Sequence, residues 1–458
     1  MKYIHYLLML IMLISGGLII NKIQPGHNWG GDFSLYINQS KHIIESYSID
    51  ELYEWNKISM QHSNKLKQIG PYAYPNGFPI LLSPIYYFFG IDFVLMKVLC
   101  GLFFLLSIPL MFNLFKEHFK DVTVPMALVC LFAFNNHFID FADNILSDLP
   151  FLFFCLLTFY IMTIKNNIMN QILLGACLFF SCFIRDVGIF LIPALLCYQI
   201  LHSEKYSNNK YHTIIPYSVF FFFFVLRKLS FPIGGENHIN FLVSGLYLDL
   251  VRSNLKYYIS LFSYAFFNYG FFIIGLVFIV IAIFGAFLNF KKHLHFTIFI
   301  LSNMFILIIW PARQGIRYLF PILPFITFFF LQAIIFIQEK LNINSKYQRY
   351  ILILCVIAIS SYSVIKLYSK NELSNQAYTS EMVEIYNYIA QIDASDNIIG
   401  FRKPRVLWLF SGARSVYTDL NHFDDSIASY LLIKKDSQLV SNRYEILKEF
   451  QNYVLIQK

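Results

Sequence analysis

Residues 93–115 read FVLMKVLCGLFFLLSIPLMFNLF, an apolar run with a single charged residue. A helix that crosses the hydrocarbon core of a bilayer needs about 20 predominantly apolar residues, so this stretch is long enough to span. Working outward, comparable runs occur at 4–20, 124–139, 149–164, 168–184, 187–201, 213–229, 271–289, 295–310, 318–337 and 350–367. Together they predict an all-α polytopic membrane protein with about eleven transmembrane helices. Composition agrees: 14% of the 458 residues are charged, where soluble domains carry about 25%. The net charge of +8 does not make a nucleic-acid surface, because the Lys and Arg are scattered between apolar runs and form no basic stripe.

Two stretches need separate readings. Residues 4–20 (IHYLLMLIMLISGGLII) follow Lys2 and end near the small residues Ser15, Gly16 and Gly17, yet offer no A-x-A cleavage site. An uncleaved signal anchor is expected. Residues 77–90 (GFPILLSPIYYFFG) are apolar but short and interrupted by proline, which predicts a re-entrant or interfacial helix. The seven cysteines (Cys100, Cys130, Cys155, Cys177, Cys182, Cys197 and Cys355) all lie within apolar runs. With no CxxC and no Cys/His cluster, they predict buried thiols rather than a disulfide frame or a zinc site.

Basic residues set the orientation. With the N-terminus in the cytoplasm, alternate loops carry Lys116 and Lys120, Lys165, Lys205 and Lys210, Lys291 and Lys292, then Lys340, Lys346 and Arg349. All of these loops fall inside. The opposing loop 140–148 has no Lys or Arg and holds Asp140, Asp143 and Asp148. Arg185, Arg227, Lys228, Arg313 and Arg317 are the exceptions, at outer membrane ends. An odd number of spans places the C-terminus outside. Two hydrophilic pieces then face out: the first loop, 21–76, and a tail, 370–458. In the tail, Met382, Ile385, Tyr386 and Ile389 recur at helical spacing, with Glu381 and Glu384 in the first turn. Strand-like runs follow at 397–401, 429–434 and 452–457, and a helix is expected at 443–450. The expected organisation is a membrane domain over 1–369 and a small extracytoplasmic α/β domain over 370–458.

Several residues on the outer side could carry chemistry. Asp32 follows Gly30 and Gly31 shortly after the first span. A carboxylate at a membrane surface has less water around it and suits a general base; an N-cap for a helix starting at Phe33 is the plain alternative. Asp148, before Leu149-Pro150, suits a helix start, but shares its predicted side with Asp32. Grouped carboxylates can also hold a divalent cation, although no spacing here selects a metal. Arg185, Arg313 and Arg317 could bind phosphate through their planar guanidinium groups. Snorkelling to headgroups, or pairing of Arg185 with Asp186, is the plain alternative, with the functional reading preferred for Arg317 before Tyr318. No Walker A loop, GxGxxG turn or GxSxG elbow is present. The energy for a synthetic reaction therefore has to arrive in an activated substrate.

The order of pieces resembles a known family. GGDFSLY (30–36), YPNGFPILLSPIYYFFG (74–90), LSDLPFLFF (146–154), RDVGIFLIPALL (185–196) and RYLFPILPF (317–325) resemble GT-C membrane glycosyltransferases. The nearest look is to the branch of protein O-mannosyltransferases and lipid A aminoarabinose transferases, and the tail at 386–417 looks like tails of that branch. The resemblance implies transfer of a sugar from a polyprenyl-phosphate donor to a glycan, lipid or protein acceptor on the outer face. It implies Asp32 as catalytic base, Asp148 as a second carboxylate, and Arg317 with Arg313 as holders of the lipid phosphate. Arg185, Tyr36, Tyr74 and Tyr318 complete the expected substrate-binding set, and Tyr72 could share the turn of Tyr74. Many members carry two adjacent acids in the first loop, whereas here Phe33 follows Asp32, which leaves metal dependence open. The rival readings are a flippase of lipid-linked sugars and a glycan polymerase. A flippase predicts mid-span charges and repeated halves, and neither is seen. A polymerase explains RYLFPILPF and the tail less well.

Overall fold

The computed structural model describes residues 2–45, 49–60, 73–206, 210–230, 247–369, 375–392, 397–435 and 444–458. In chain order its helices are α1 (Lys2–Lys22), α2 (Gly31–Glu45), α3 (Ile49–Met60), α4 (Gly77–Phe89), α5 (Phe93–Phe115), α6 (Thr123–Ala133), α7 (Asn136–Ala142), α8 (Asp148–Thr163) and α9 (Ile168–Ile184). They continue with α10 (Leu191–Leu201), α11 (Ile215–Ser230), α12 (Leu248–Phe267), α13 (Phe272–Leu288), α14 (Phe290–Ile309), α15 (Leu323–Lys340) and α16 (Ser345–Ser369). In the tail, α17 (Ser380–Gln391) and α18 (Pro404–Ser411) accompany five strands, β1 (Ile399–Gly400), β2 (Ser415–Val416), β3 (Tyr430–Lys434), β4 (Glu445–Glu449) and β5 (Tyr453–Gln457).

The chain packs as two compact units. One is built from the described residues of Met1–Ile23, Lys97–Ser230 and Asn237–Asn371; the other from those of Gln24–Met96 and Glu372–Lys458. In the first unit, six helices among the described residues are long and apolar enough to cross a membrane, or eight if each of two bent pairs counts as one span. The predicted span 124–139 is one such pair, α6 and α7, bent by 49°. Asn135 sits at the break, and its side chain caps α7 by accepting from the His137 N–H at 3.0 Å. The second pair joins α12 to α13 at 91°. Helix α12 escapes the sequence reading because Asp249, Arg252 and Lys256 dilute its first turns. α8, α9 and α10 coincide with predicted spans but are shorter than a full straight crossing.

Small residues let these helices touch. A side chain at Gly275 of α13 would run into the Ile259 carbonyl of α12, and one at Gly285 into the Phe329 carbonyl of α15. Close backbone approach of this kind replaces the hydrophobic driving force that is missing between helices in lipid. Elsewhere rings fill the core: Phe115 stacks on Phe328 with centroids 4.8 Å apart, and Phe159 meets the edge of Phe325 at the same 4.8 Å. Lys97 is fully buried and pairs with Asp143 at 2.7 Å.

The second unit combines α2, α3 and α4 with the tail. Its sheet has the order β2-β1-β3-β5-β4, with β1 parallel to both β2 and β3 and β5 antiparallel to β3 and β4. Phe423, Leu431, Val454 and Ile456 form its core. The predicted helical spacing in the tail holds: Met382, Ile385, Tyr386 and Ile389 are the buried stripe of α17. The runs 397–401, 429–434 and 452–457 contain β1, β3 and β5. The expected helix at 443–450 is wrong. Residues Glu445–Glu449 form β4, an exposed edge strand held by pairing with β5, which outweighs the helical preference of Glu, Leu and Lys. The stretch 77–90 forms α4, a 13-residue helix with Pro84 inside it, too short to cross.

Candidate active site

In the second unit, the turn into α2 is tied down before Asp32 is reached. The Gly30 N–H donates to the Asn28 side chain at 2.8 Å, and His27 stacks on Phe33 at 3.9 Å. The tail closes over this turn: the Gly26 N–H donates to the Asn375 side chain at 3.0 Å, and the Ala377 N–H to the His27 carbonyl at 3.1 Å. The helix begins at Gly31, so Asp32 stands inside its first turn rather than at its cap. There the unsatisfied N–H groups favour a negative charge.

Asp32 has built-in company. Tyr74 donates its hydroxyl to Asp32 Oδ1 at 2.7 Å. The turn that carries Tyr74 is clamped by Gln39 of α2. The Gln39 amide donates to the Tyr74 carbonyl at 2.8 Å and to the Asn76 side chain at 2.7 Å, and accepts from the Tyr74 N–H at 3.0 Å. Tyr36 stacks on Tyr74 with centroids 4.6 Å apart. The third partner is Arg405 of α18, only 5% exposed, which hydrogen-bonds the Tyr74 side chain and faces Asp32 electrostatically. Burial, and then the Asp32 carboxylate, hold the Tyr74 phenol well above its usual 10. Burial draws Arg405 down from 12.5, opposed by Tyr74 and Asp32, and an arginine so placed stays a cation. The result is a charge-assisted chain from guanidinium to phenol to carboxylate, which fixes one oxygen of Asp32. Tyr72 lies outside the described residues.

The first unit gathers the other predicted residues. Asp148, in the first turn of α8, is buried and forms an ion pair with Arg185 just past the end of α9. Arg185 thus pairs with Asp148, where the sequence alternative was Asp186. Its guanidinium lies over the Tyr318 ring at 4.6 Å, and that of Arg317 lies 5.4 Å from the same ring. Arg317 also donates to the Gln314 side chain at 2.5 Å. Tyr318 therefore brings Arg185 and Arg317 together.

Arg313 has its own cradle. It donates to Asn254 Oδ1 at 3.0 Å and to Ser253, and lies over the Tyr257 ring at 4.8 Å. Asn254 in turn donates to the Ile308 and Trp310 carbonyls at 3.1 and 2.8 Å, which pins the loop bearing Arg313. A cavity of about 500 Å³ opens here, lined by Tyr247, Asp249, Ser253, Asn254, Pro311 and Arg313. Sequence reasoning missed Ser253 and Asn254 because α12 was not recognised. It missed Arg405 because a lone arginine in a soluble-looking tail carries no local signature. Among the described residues no group of three or more His, Cys, Asp or Glu is placed to hold a metal ion.

Comparison with known proteins identifies the architecture. Over 98% of its length the chain superposes on ArnT from Cupriavidus metallidurans bound to undecaprenyl phosphate, with a TM-score of 0.60, 11% identity and 97% of that chain covered. The chain has the GT-C fold. The same GT-C architecture relates it to the Archaeoglobus fulgidus oligosaccharyltransferase in complex with Zn and sulfate, at a TM-score of 0.60 and 10% identity, covering 93% of this chain and 67% of that one. The archaeal oligosaccharyltransferase AglB from the same organism, in complex with an inhibitory peptide and a dolichol-phosphate, matches at 0.56 and 8% identity, over 95% and 70% of the two chains. Residues 70–226 match the family of dolichyl-phosphate-mannose-protein mannosyltransferases. No curated protein matches the chain by sequence. The resemblance read from the motifs thus stands in the fold, and the chain is a multi-pass membrane protein.

Proposed function

We propose that this protein is a membrane glycosyltransferase that moves a sugar from a polyprenyl-phosphate donor to an acceptor on the extracytoplasmic face. The observation that carries the reading is the chain Arg405–Tyr74–Asp32. Burying an arginine is costly unless it is paired, and a helix-start aspartate needs neither a buried cation nor a clamped tyrosine. A base that must keep its charge and its aim needs both. The donor class follows from the likeness to ArnT bound to undecaprenyl phosphate and to AglB bound to a dolichol-phosphate.

The reaction is a single displacement. The acceptor oxygen attacks the anomeric carbon while Asp32 takes its proton, and the bond to the lipid phosphate breaks with its electrons going to the phosphate. The sugar inverts. A positioned base contributes on the order of 10²–10⁴-fold. Arg313, in its cavity, and Arg317 supply the cations for the departing phosphate. Asp148 acts through Arg185, holding it over Tyr318. The test is transfer from a radiolabelled polyprenyl-phosphate sugar pool in membranes. Asp32→Asn at normal protein level should lose transfer by roughly 10²-fold or more, and transfer at the wild-type rate would remove Asp32 from the base role.

A further inference from the structure

We propose that the second unit carries a separate saccharide-binding subsite, formed by α2, α3 and the end of α18, that holds one sugar ring of the acceptor. A cavity of about 270 Å³ lies there, lined among others by Asn38, Trp55, Trp408 and Arg414. Ligand pockets for drug-sized molecules run to roughly 300–1,000 Å³, so the space suits a single ring.

Its chemistry selects a sugar. Trp55 and Trp408 offer two indoles, and Arg414 lies 3.9 Å from the centre of the Trp55 ring, which fixes that indole in place. Flat aromatic rings pack against the C–H faces of pyranoses. Asn38 is only 6% exposed, yet its amide nitrogen has no hydrogen-bond partner among the described residues, and nor has Nδ1 of His42, another lining residue. Native proteins rarely leave such groups unmet. Lys41 and Glu51 add a cation and an anion to the same wall. Hydroxyl groups both donate and accept, so a sugar can answer this mixed set, whereas an apolar ligand would leave Asn38 unmet. Gly412, also in the lining, caps α18 at φ +71° with open space where a side chain would stand.

The subsite is distinct from the Asp32 cluster. Asn38, Lys41 and His42 follow Asp32 by six to ten residues, roughly 9–15 Å along the helix axis at 1.5 Å per residue. They also lie on a side of α2 turned away from Asp32 and Tyr36. One ring cannot occupy both places, so a ring held here is a remote part of the acceptor. Only that last assignment rests on the glycosyltransferase reading.

The test titrates full-length protein in detergent with methyl hexopyranosides, and separately with inorganic phosphate, read by ligand-observed NMR. Wild type and Asp32→Asn should bind the glycoside alike, while Trp55→Ala and Asn38→Leu bind at least tenfold more weakly and Trp408→Phe stays near wild type. In the transfer assay, Trp55→Ala should raise the acceptor KM and leave the donor KM unchanged. Absence of glycoside binding to wild type, equal binding by Trp55→Ala, or binding of phosphate in place of sugar would each overturn the subsite. If wild type binds the glycoside but transfers no sugar, the subsite stands and the glycosyltransferase reading falls.

Discussion

Tyr74 carries the hydrogen bond that sets the proposed base apart from an ordinary helix-start aspartate. Its hydroxyl donates to Asp32 Oδ1 at 2.7 Å and is itself held by Arg405. A hydrogen bond to a charged group is worth about 1.5–3 kcal/mol, so Tyr74→Phe should lower transfer about ten- to a hundredfold. Tyr74 has a second, measurable consequence. Its folded pKa lies above the ordinary 10.0, so below pH 10 the phenol is protonated in both states and its contribution to stability is complete. Above pH 10 the unfolded chain ionises first, and the contribution is lost as pH rises toward the folded value. The melting temperature should fall less steeply above pH 10 in Tyr74→Phe than in wild type. Lys97 poses the opposite problem, a fully buried cation kept by Asp143. Removing one partner of a buried pair costs about 3–5 kcal/mol, so Asp143→Asn should unfold far more readily in detergent, and Lys97→Met in the same chain should recover much of the loss. Of these residues only Asp32, Tyr74 and Asp143 were visible as candidates in the sequence. Arg405 and Lys97 were not, because a lone arginine in the tail and a lone lysine inside an apolar run carry no local signature.

At the level of elements, hydropathy was the legible signal and charge dilution its blind spot. Each apolar run corresponds to a helix or, at 124–139, to a bent pair, because a segment buried in lipid or in a helix bundle has to be apolar all round and to satisfy its own backbone. Where a helix is half polar, as α12 is in its first turns and α2 and α3 are throughout, hydropathy says little. The short helix α18 had punctuation in plain view, Pro404 at its start and Gly412 after its end, but only eight residues between them. Strand β4 failed for the reverse reason: its residues suit a helix, and only pairing with β5 makes it a strand. Packing between helices depends on details that hydropathy cannot register. Gly285 is such a case, since its missing side chain lets α13 lie against the Phe329 carbonyl. Overpacking a close contact costs about 1–3 kcal/mol. Gly285→Val should therefore lower thermal stability in detergent, and Gly17→Val, where α1 has open space, should not.

For the whole molecule, the distribution of Lys and Arg argues a topology that a direct measurement can check. In the proposed topology the loops with clustered lysines face inside and the tail lies on the opposite side. An epitope tag placed after Lys458 should be reached by a membrane-impermeant reagent in intact cells, and a tag before Lys2 should be reached only after permeabilisation. The reverse result would invert the topology and move Asp32 to the cytoplasmic face. The resemblance in motif order carried the architecture further than any single motif, since the GT-C fold is shared here at 8–11% identity.

The second unit draws its parts from both ends of the chain. The bond from Gly26 to Asn375 closes a separation of 349 residues, and Asp32 meets Arg405 across a similar interval. During synthesis, the stretch around Asp32 is therefore made early and waits, without its tyrosine–arginine support complete, until the ribosome has passed residue 405. Any chain that stops before that point carries its aspartate without its arginine, so the proposed activity switches on only with nearly the whole polypeptide in place.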